Sequence, residues 1–163
     1  MIIRIKKNAD GRTSLTCTRA DGTVTWQSLN GATAQFFPRH DLTHYAVETV
    51  LAALQGFYAL VAAGWDLTDF GSPWPRGRIP VDASLSEMIV GYLDLERRTG
   101  VTVQADDVNA RLVEFCAENK FPPPDEISDA DLDRIRRRRA ELFAQWEAVT
   151  PGDALEIPFP TSR

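Results

Sequence analysis

The chain has 163 residues, the usual length of one domain and enough to bury a core without disulfides or a structural metal. Its 44% hydrophobic and 25% charged residues are typical of a globular protein and exclude a disordered chain. The formal net charge of -5 argues against nucleic acid as a partner, because affinity for a phosphate backbone comes mainly from lysine and arginine. We therefore expect a single domain over residues 1–163.

No segment reaches the roughly 18 uninterrupted apolar residues that a membrane span needs, and the N-terminus has no apolar signal-peptide region. The only cysteines, Cys17 and Cys116, form no CxxC pair and are expected to be small buried hydrophobes. These features predict a cytoplasmic protein without membrane contact. The sequence defines no other partner, and a homo-oligomer remains open.

The first 29 residues predict three strands joined by turns at Asp10-Gly11 and Asp21-Gly22, where glycine can adopt the positive φ of a tight hairpin. Apolar residues alternate with polar ones in the second and third strands. We expect the apolar set to face the helices that cover this meander. That set comprises Leu15, Cys17, Val24 and Trp26.

A long central helix is expected from about Asp41 to Ala63, and three further helices follow it. Ser84 with Glu87 predicts a capping box before a helix over about 85–99, closed by Gly100. Asp106 and Ser128 are the expected caps of the last two helices. The pattern predicts an α+β fold, in which about four helices pack against a small antiparallel sheet. That sheet combines the meander with a C-terminal strand over 154–159.

The candidate functional site lies at the start of the central helix. If that helix includes His40, then His40, His44 and Glu48 are spaced i, i+4 and i+8 and share one side of it. Two imidazoles and a carboxylate form a ligand set for a divalent metal such as zinc. Asp41 and Glu48 are the candidate catalytic residues, with Asp41 orienting an imidazole or acting as a base. This interpretation predicts a metal-binding protein or a metal-dependent hydrolase.

The alternative assigns Asp41 to the N-cap of the helix. His40 then lies outside the helix and need not point in the same direction as His44. In that case His44 and Glu48 belong to a satisfied polar network, and the motif organises the junction between sheet and helix. This interpretation predicts a non-catalytic binding or assembly protein without a metal, and it is the one we favour from the sequence.

The same residues resemble the motif of a known protein family. The run PRHDLTHYAVE over 38–48, followed by Gly56-Phe57-Tyr58 and Ala62-Ala63-Gly64, resembles an uncharacterised bacterial family with a Pro-x-His-Asp-Leu-x-His signature. Trp146 and the segment 151–155 are similar to the ending of that family. The resemblance implies a coherent fold and a special motif. It implies no activity, substrate or cofactor, because none is established for the family.

Four consecutive arginines, Arg136 to Arg139, invite a nucleic-acid interpretation. Within a helix, however, four successive residues spread around the axis and do not form one face. Acidic neighbours such as Asp133 and Glu141 also offset their charge. We expect a solvated helix face with ion pairs.

Overall fold

A four-stranded antiparallel sheet forms one layer of the protein. The computed structural model describes residues 1–52, 55–71 and 73–160. The strands are β1 (Ile2–Lys7), β2 (Thr13–Thr18), β3 (Val24–Leu29) and β4 (Ala154–Pro158), in the order β3-β2-β1-β4. Each neighbouring pair is antiparallel. The predicted α+β fold is confirmed, including the pairing of the C-terminal strand with the N-terminal meander.

The inner face of the sheet forms one wall of the core. Ile3 pairs with Cys17 on one side and with Ile157 on the other, and all three side chains are buried. The predicted turns are present, with φ of 80° at Gly11 and 83° at Gly22. Cys17 and Cys116 are both buried free thiols, as expected. Burial raises the pKa of Cys17 to about 12, with a further contribution from the Asp41 carboxylate.

The expected facing of β3 is wrong. The register pairs Cys17 with Thr25, so Thr25 lies on the inner face and is 6% exposed. Val24 and Trp26 therefore point outward, and they are 53% and 64% exposed. Neighbouring strands share their faces through cross-strand pairs, so the register with β2 decides which face of β3 is buried.

The described residues form five α-helices, of which the first contacts the sheet directly. They are α1 (Gly31–Val50), α2 (Phe57–Ala62), α3 (Val81–Thr99), α4 (Ala105–Glu118) and α5 (Asp129–Ala148), with a 3₁₀ turn at Leu67–Phe70. Helix α1 is central, because it contacts α2, α3, α5 and strand β2.

Helix α1 begins ten residues earlier than predicted and contains Pro38 in its interior. Asp41 is consequently not its N-cap. A proline inside a helix removes the hydrogen bond to the carbonyl four residues before it, which here belongs to Ala34. The buried hydroxyl of Thr13 donates to that carbonyl at 3.5 Å. The sheet thus partly replaces the lost bond, and the helix continues through the proline.

The expectation of one helix reaching Ala63 is also wrong. Helix α1 ends at Val50, and Gly56 has extended dihedrals of φ -158° and ψ -168° before α2 begins. Ala53 and Leu54, which fall in the predicted helix, lie outside the described residues. Helix α2 packs against α1 and does not extend it.

Only some of the predicted helix caps are present in the structure. Ser128 accepts a hydrogen bond from the backbone N–H of Asp131, and the two residues form a capping box at the start of α5. Gly100 ends α3 in the left-handed conformation, with φ of 72°. By contrast, α3 begins at Val81, so Ser84 lies within the helix, and Asp106 lies in the first turn of α4.

The arginine run pairs with acidic groups. Arg136 and Arg139 both contact Glu96 of α3, at 2.8 and 3.0 Å, and Arg138 pairs with Glu141 at 3.0 Å. The two contacts with Glu96 join α5 to α3. Arg139 is only 9% exposed, so the expected solvated face is wrong at this position. In the described part of the chain, no helix has the length and apolar character needed to cross a membrane.

Replacing Ser128 by alanine should lower the free energy of unfolding by about 0.5 to 2 kcal/mol, because the N-terminal amides of α5 lose their cap. Ser84→Ala is the matched control and should change stability by less than about 0.5 kcal/mol, since Ser84 caps no helix. Urea unfolding followed by circular dichroism measures both. Equal losses in the two variants would contradict the assignment of the caps.

Candidate functional site

The middle of α1 is enclosed by other elements. Every residue from Asp41 to Glu48 is buried, including Asp41, Thr43, His44 and Glu48. A buried polar group must find a partner inside the protein or incur a large desolvation cost. The contacts of these side chains therefore define what this part of the molecule can do.

His40 and His44 come together because both lie within α1, one turn apart. Their Nε2 atoms are 3.2 Å apart, and the rings meet edge to face with centroids separated by 4.7 Å. On the other side of the His40 ring, Nδ1 lies 2.7 Å from Oδ2 of Asp94 in α3. This contact fixes the ring and assigns the Nδ1 proton to the bond with Asp94. In a neutral imidazole with this tautomer, the lone pair of Nε2 faces Nε2 of His44.

Glu87 of α3 completes the cluster. Its Oε2 lies 3.5 Å from Nε2 of His44. Ligand atoms of His40, His44 and Glu87 all lie within 4.8 Å of one another, so these three residues could hold a metal ion. The Glu87 side chain is 34% exposed, whereas that of His44 is only 2% exposed. Glu87 is therefore the most accessible of the three residues and His44 the least.

Glu48 was predicted as the third ligand, but the structure does not bring it into this cluster. Its Oε1 and Oε2 accept the backbone N–H groups of Tyr58 and Ala59, at 3.0 and 2.9 Å. These amides belong to the first turn of α2, where N–H groups have no partner within the helix. Glu48 also lies 3.8 Å from Nδ1 of His44, on the side of the ring that faces away from His40. It anchors α2 instead.

Asp41 was predicted as a cap, an orienting group or a base. It is 3% exposed and lies within α1, on the wall of a cavity beside His40 and His44. Among the described residues, no group hydrogen-bonds its carboxylate. Burial raises the pKa of Asp41 to about 7, and the nearby histidines oppose the shift.

The charges around His44 are coupled. Burial disfavours its cationic form, but Glu48 and Glu87 more than compensate and raise the pKa of His44 to about 10. Burial likewise opposes ionisation of Glu87 and Asp94, yet the pKa of each carboxyl is lowered. His44 is the main cause for Glu87, and His40 with Arg97 for Asp94. The cluster therefore strongly favours positive charge between its carboxylates.

A cavity of about 560 Å³ opens beside the cluster. His40, His44, Asp41 and Glu87 contribute its polar wall, together with Gln27 and Ser84. The other wall is apolar and is supplied by Phe37, Phe57, Leu67, Phe70, Trp74 and Ile79. It exists because α2 folds back, which brings the ring of Phe57 within 5.3 Å of the His44 ring, centroid to centroid.

Sequence reasoning missed Glu87 as a site residue and did not notice Asp94. Both lie in α3, spaced i and i+7, on the side that packs against α1. The buried residues of that helix are otherwise almost all apolar, as in the case of Ile89, Val90 and Leu93. Two acidic residues at helical spacing within an apolar face were the signal that could have found them.

Two other acidic residues, Asp66 and Asp69, lie outside the cluster. Asp66 pairs with Arg19 at 2.9 Å, and Asp69 pairs with Arg76 at 3.0 Å. They also form the capping box of the 3₁₀ turn.

Comparisons with family models, with curated proteins and with solved structures gave no match to this chain.

Gly56→Ala should lower the free energy of unfolding by about 1 to 3 kcal/mol. A Cβ at this position would lie 2.6 Å from Cγ and 2.7 Å from Oε2 of Glu48, and would displace the carboxylate from α2. In Gly91→Ala, the control, the new methyl meets nothing within 4 Å and should stabilise α3 by about 0.5 to 1 kcal/mol. Thermal or urea unfolding reports both. A neutral Gly56→Ala would refute the close contact between Glu48 and Gly56.

Proposed function

We propose that this protein binds one divalent transition-metal ion through His40, His44 and Glu87. The observation that carries the proposal is the 3.2 Å separation of the two Nε2 atoms. Two nitrogens bound to one zinc ion at 2.0 to 2.1 Å with tetrahedral angles are about 3.3 Å apart. The imidazoles thus have almost the spacing of two ligands of one ion.

The surroundings of the histidines support the same function. Metal-bound histidines usually donate their second ring N–H to a carboxylate, which fixes the ring and raises its basicity. The 2.7 Å contact between His40 and Asp94 has this form, and Arg97 contacts Asp94 in turn at 3.2 Å. Glu48 faces Nδ1 of His44 at the longer distance of 3.8 Å. Only His40 therefore has a hydrogen-bonded carboxylate behind it, because Nδ1 of His44 has no hydrogen-bond partner among the described residues.

Two histidines and a carboxylate form the protein part of several metal sites that retain an open coordination position. Such sites serve zinc hydrolases and non-haem iron enzymes, so the ligand set suggests a transition metal without selecting one. The cavity beside the cluster provides an entry path and room for a further ligand of the ion.

A second candidate function is a metal-free binding or assembly protein, in which the cluster is purely structural. The observation that favours it is that one proton can satisfy the contact between the two histidines. If Nε2 of His44 carries a hydrogen, it donates to Nε2 of His40, which in turn donates through Nδ1 to Asp94. The two candidates differ in what lies between the imidazoles, a proton or a metal ion.

Metal analysis separates them. Protein prepared without a histidine tag, incubated with Zn²⁺ or Co²⁺ and dialysed, should retain about one ion per chain. Glu87→Gln should weaken binding at least about tenfold, because a neutral amide replaces an anionic ligand. In Glu48→Gln only one of the two α2 N–H groups keeps its oxygen acceptor, but the three ligands remain in place, so this variant should retain the metal. Binding that is absent, or that is lost in Glu48→Gln and kept in Glu87→Gln, would contradict the proposed ligand set.

Asp94→Asn should lower the metal affinity by about 10 to 100-fold, because His40 loses the carboxylate that orients it. Competition with a chromophoric chelator measures the change. Asp107→Asn, which alters an exposed carboxylate in α4, is the control and should leave the affinity unchanged. An Asp94→Asn protein with unaltered affinity would show that the Asp94 contact does not support a ligand.

A further inference from the structure

The cavity next to the cluster has a composition that selects among small molecules. Its apolar wall contains four aromatic rings, those of Phe37, Phe57, Phe70 and Trp74. Phe57 and Phe70 contact each other with centroids 4.6 Å apart, and Phe57 also contacts His44. Aromatic walls favour flat apolar groups, which can stack on or pack edge to face against the rings.

The charges of the cavity disfavour an anion. Its described lining residues include the carboxylates of Asp41 and Glu87 but no lysine or arginine. Asp41 and Glu87 already supply two negative charges to the proposed divalent ion, so an anionic ligand would add a negative charge that no lining side chain offsets. This composition favours a neutral molecule.

Asp41 favours a ligand that can donate a hydrogen bond. Its carboxylate lines the cavity and is buried, and no described group donates a hydrogen bond to it. Buried carboxylates normally have such donors, so a ligand with an N–H or O–H group would supply what the protein does not.

Trp74 lies where the cavity meets solvent. It lines the cavity and is 41% exposed. Its backbone has φ of 60°, a left-handed conformation that is uncommon for a large residue and tends to occur at ligand-binding positions. Its indole is therefore the part of the apolar wall that a ligand meets on entering.

We infer that the cavity binds a small neutral molecule with a flat aromatic body, a nitrogen or oxygen that ligates the metal, and an adjacent N–H or O–H that donates to Asp41. This inference rests on the proposed metal site, since the metal supplies one of the three contacts. It names the class of ligand, or of substrate, that the site accepts. The aromatic wall binds the body, and the carboxylates of Asp41 and Glu87 disfavour anionic analogues.

The test uses the full-length protein loaded with Co²⁺, whose visible absorption reports a new ligand on the metal. The probe is 4-phenylimidazole, which has one nitrogen for the metal, one N–H for Asp41 and a phenyl ring for the apolar wall. Imidazole lacks the ring, 1-methyl-4-phenylimidazole lacks the N–H, and benzoate carries the ring on an anion. We expect 4-phenylimidazole to bind at least about tenfold more tightly than each of the other three.

Trp74→Ala should reduce the advantage of 4-phenylimidazole over imidazole at least about threefold, with Co²⁺ affinity unchanged. Trp26→Ala is the matched control, because Trp26 lies on the outer face of the sheet and is 64% exposed. A protein that takes up Co²⁺ but binds all four probes equally, or binds benzoate best, overturns this inference and leaves the metal site intact. A protein that takes up no Co²⁺ overturns both proposals.

Discussion

The complete burial of the middle of α1 determines how the other elements are arranged. From Asp41 to Glu48 this helix has no solvent-facing side, yet the segment contains Asp41, Thr43, His44 and Glu48. Thr43 bonds to a carbonyl of its own helix, at Arg39. His44 and Glu48 need partners from elsewhere, because a helix cannot satisfy long buried polar side chains by itself. Those partners come from α3 and from the return of the chain in α2.

The polar side chains of α1 that face other helices fall into two groups, with Glu48 at a structural end and the two histidines at an open end. At the structural end, Glu48 binds the first amides of α2, and Gly56 lies so close to it that no side chain fits between them. This contact holds the start of α2 against α1. Because α2 then lies beside α1, Phe57 reaches His44 and one wall of the cavity forms. The open end, with both histidines and Glu87, faces the space that this packing creates.

The sheet could be predicted because its signals are local. Two glycine turns define the meander, and the alternation of the C-terminal strand is short and bounded by prolines. The facing of β3 was not predictable in the same way, because Trp26 is more apolar than Thr25 and only the pairing with Cys17 buries the threonine.

The helix boundaries and the third ligand depend on contacts between distant parts of the chain. A proline at position 38 predicts the end of a helix. The hydrogen bond that Thr13 of β2 donates to the carbonyl of Ala34 cannot be seen in the sequence. The i and i+4 spacing of the histidines was visible in the sequence, since it lies within one helix. Glu48 continued that spacing and was the natural third ligand. In the structure, Glu48 instead accepts hydrogen bonds from the amides of α2. The third residue of the cluster is Glu87, which belongs to α3.

The charges around the cluster bear on the proposed divalent ion at its open end. Asp94 is offset by Arg97, and Glu48 is offset by the partial positive charge of the α2 amides. Asp41 and Glu87 remain, facing two imidazoles whose Nε2 atoms are 3.2 Å apart. Two hydrogens cannot occupy that gap, because both nitrogens would be donors without an acceptor. A cationic His44 brings one positive charge to this gap, whereas a divalent ion bound by two neutral imidazoles would bring two.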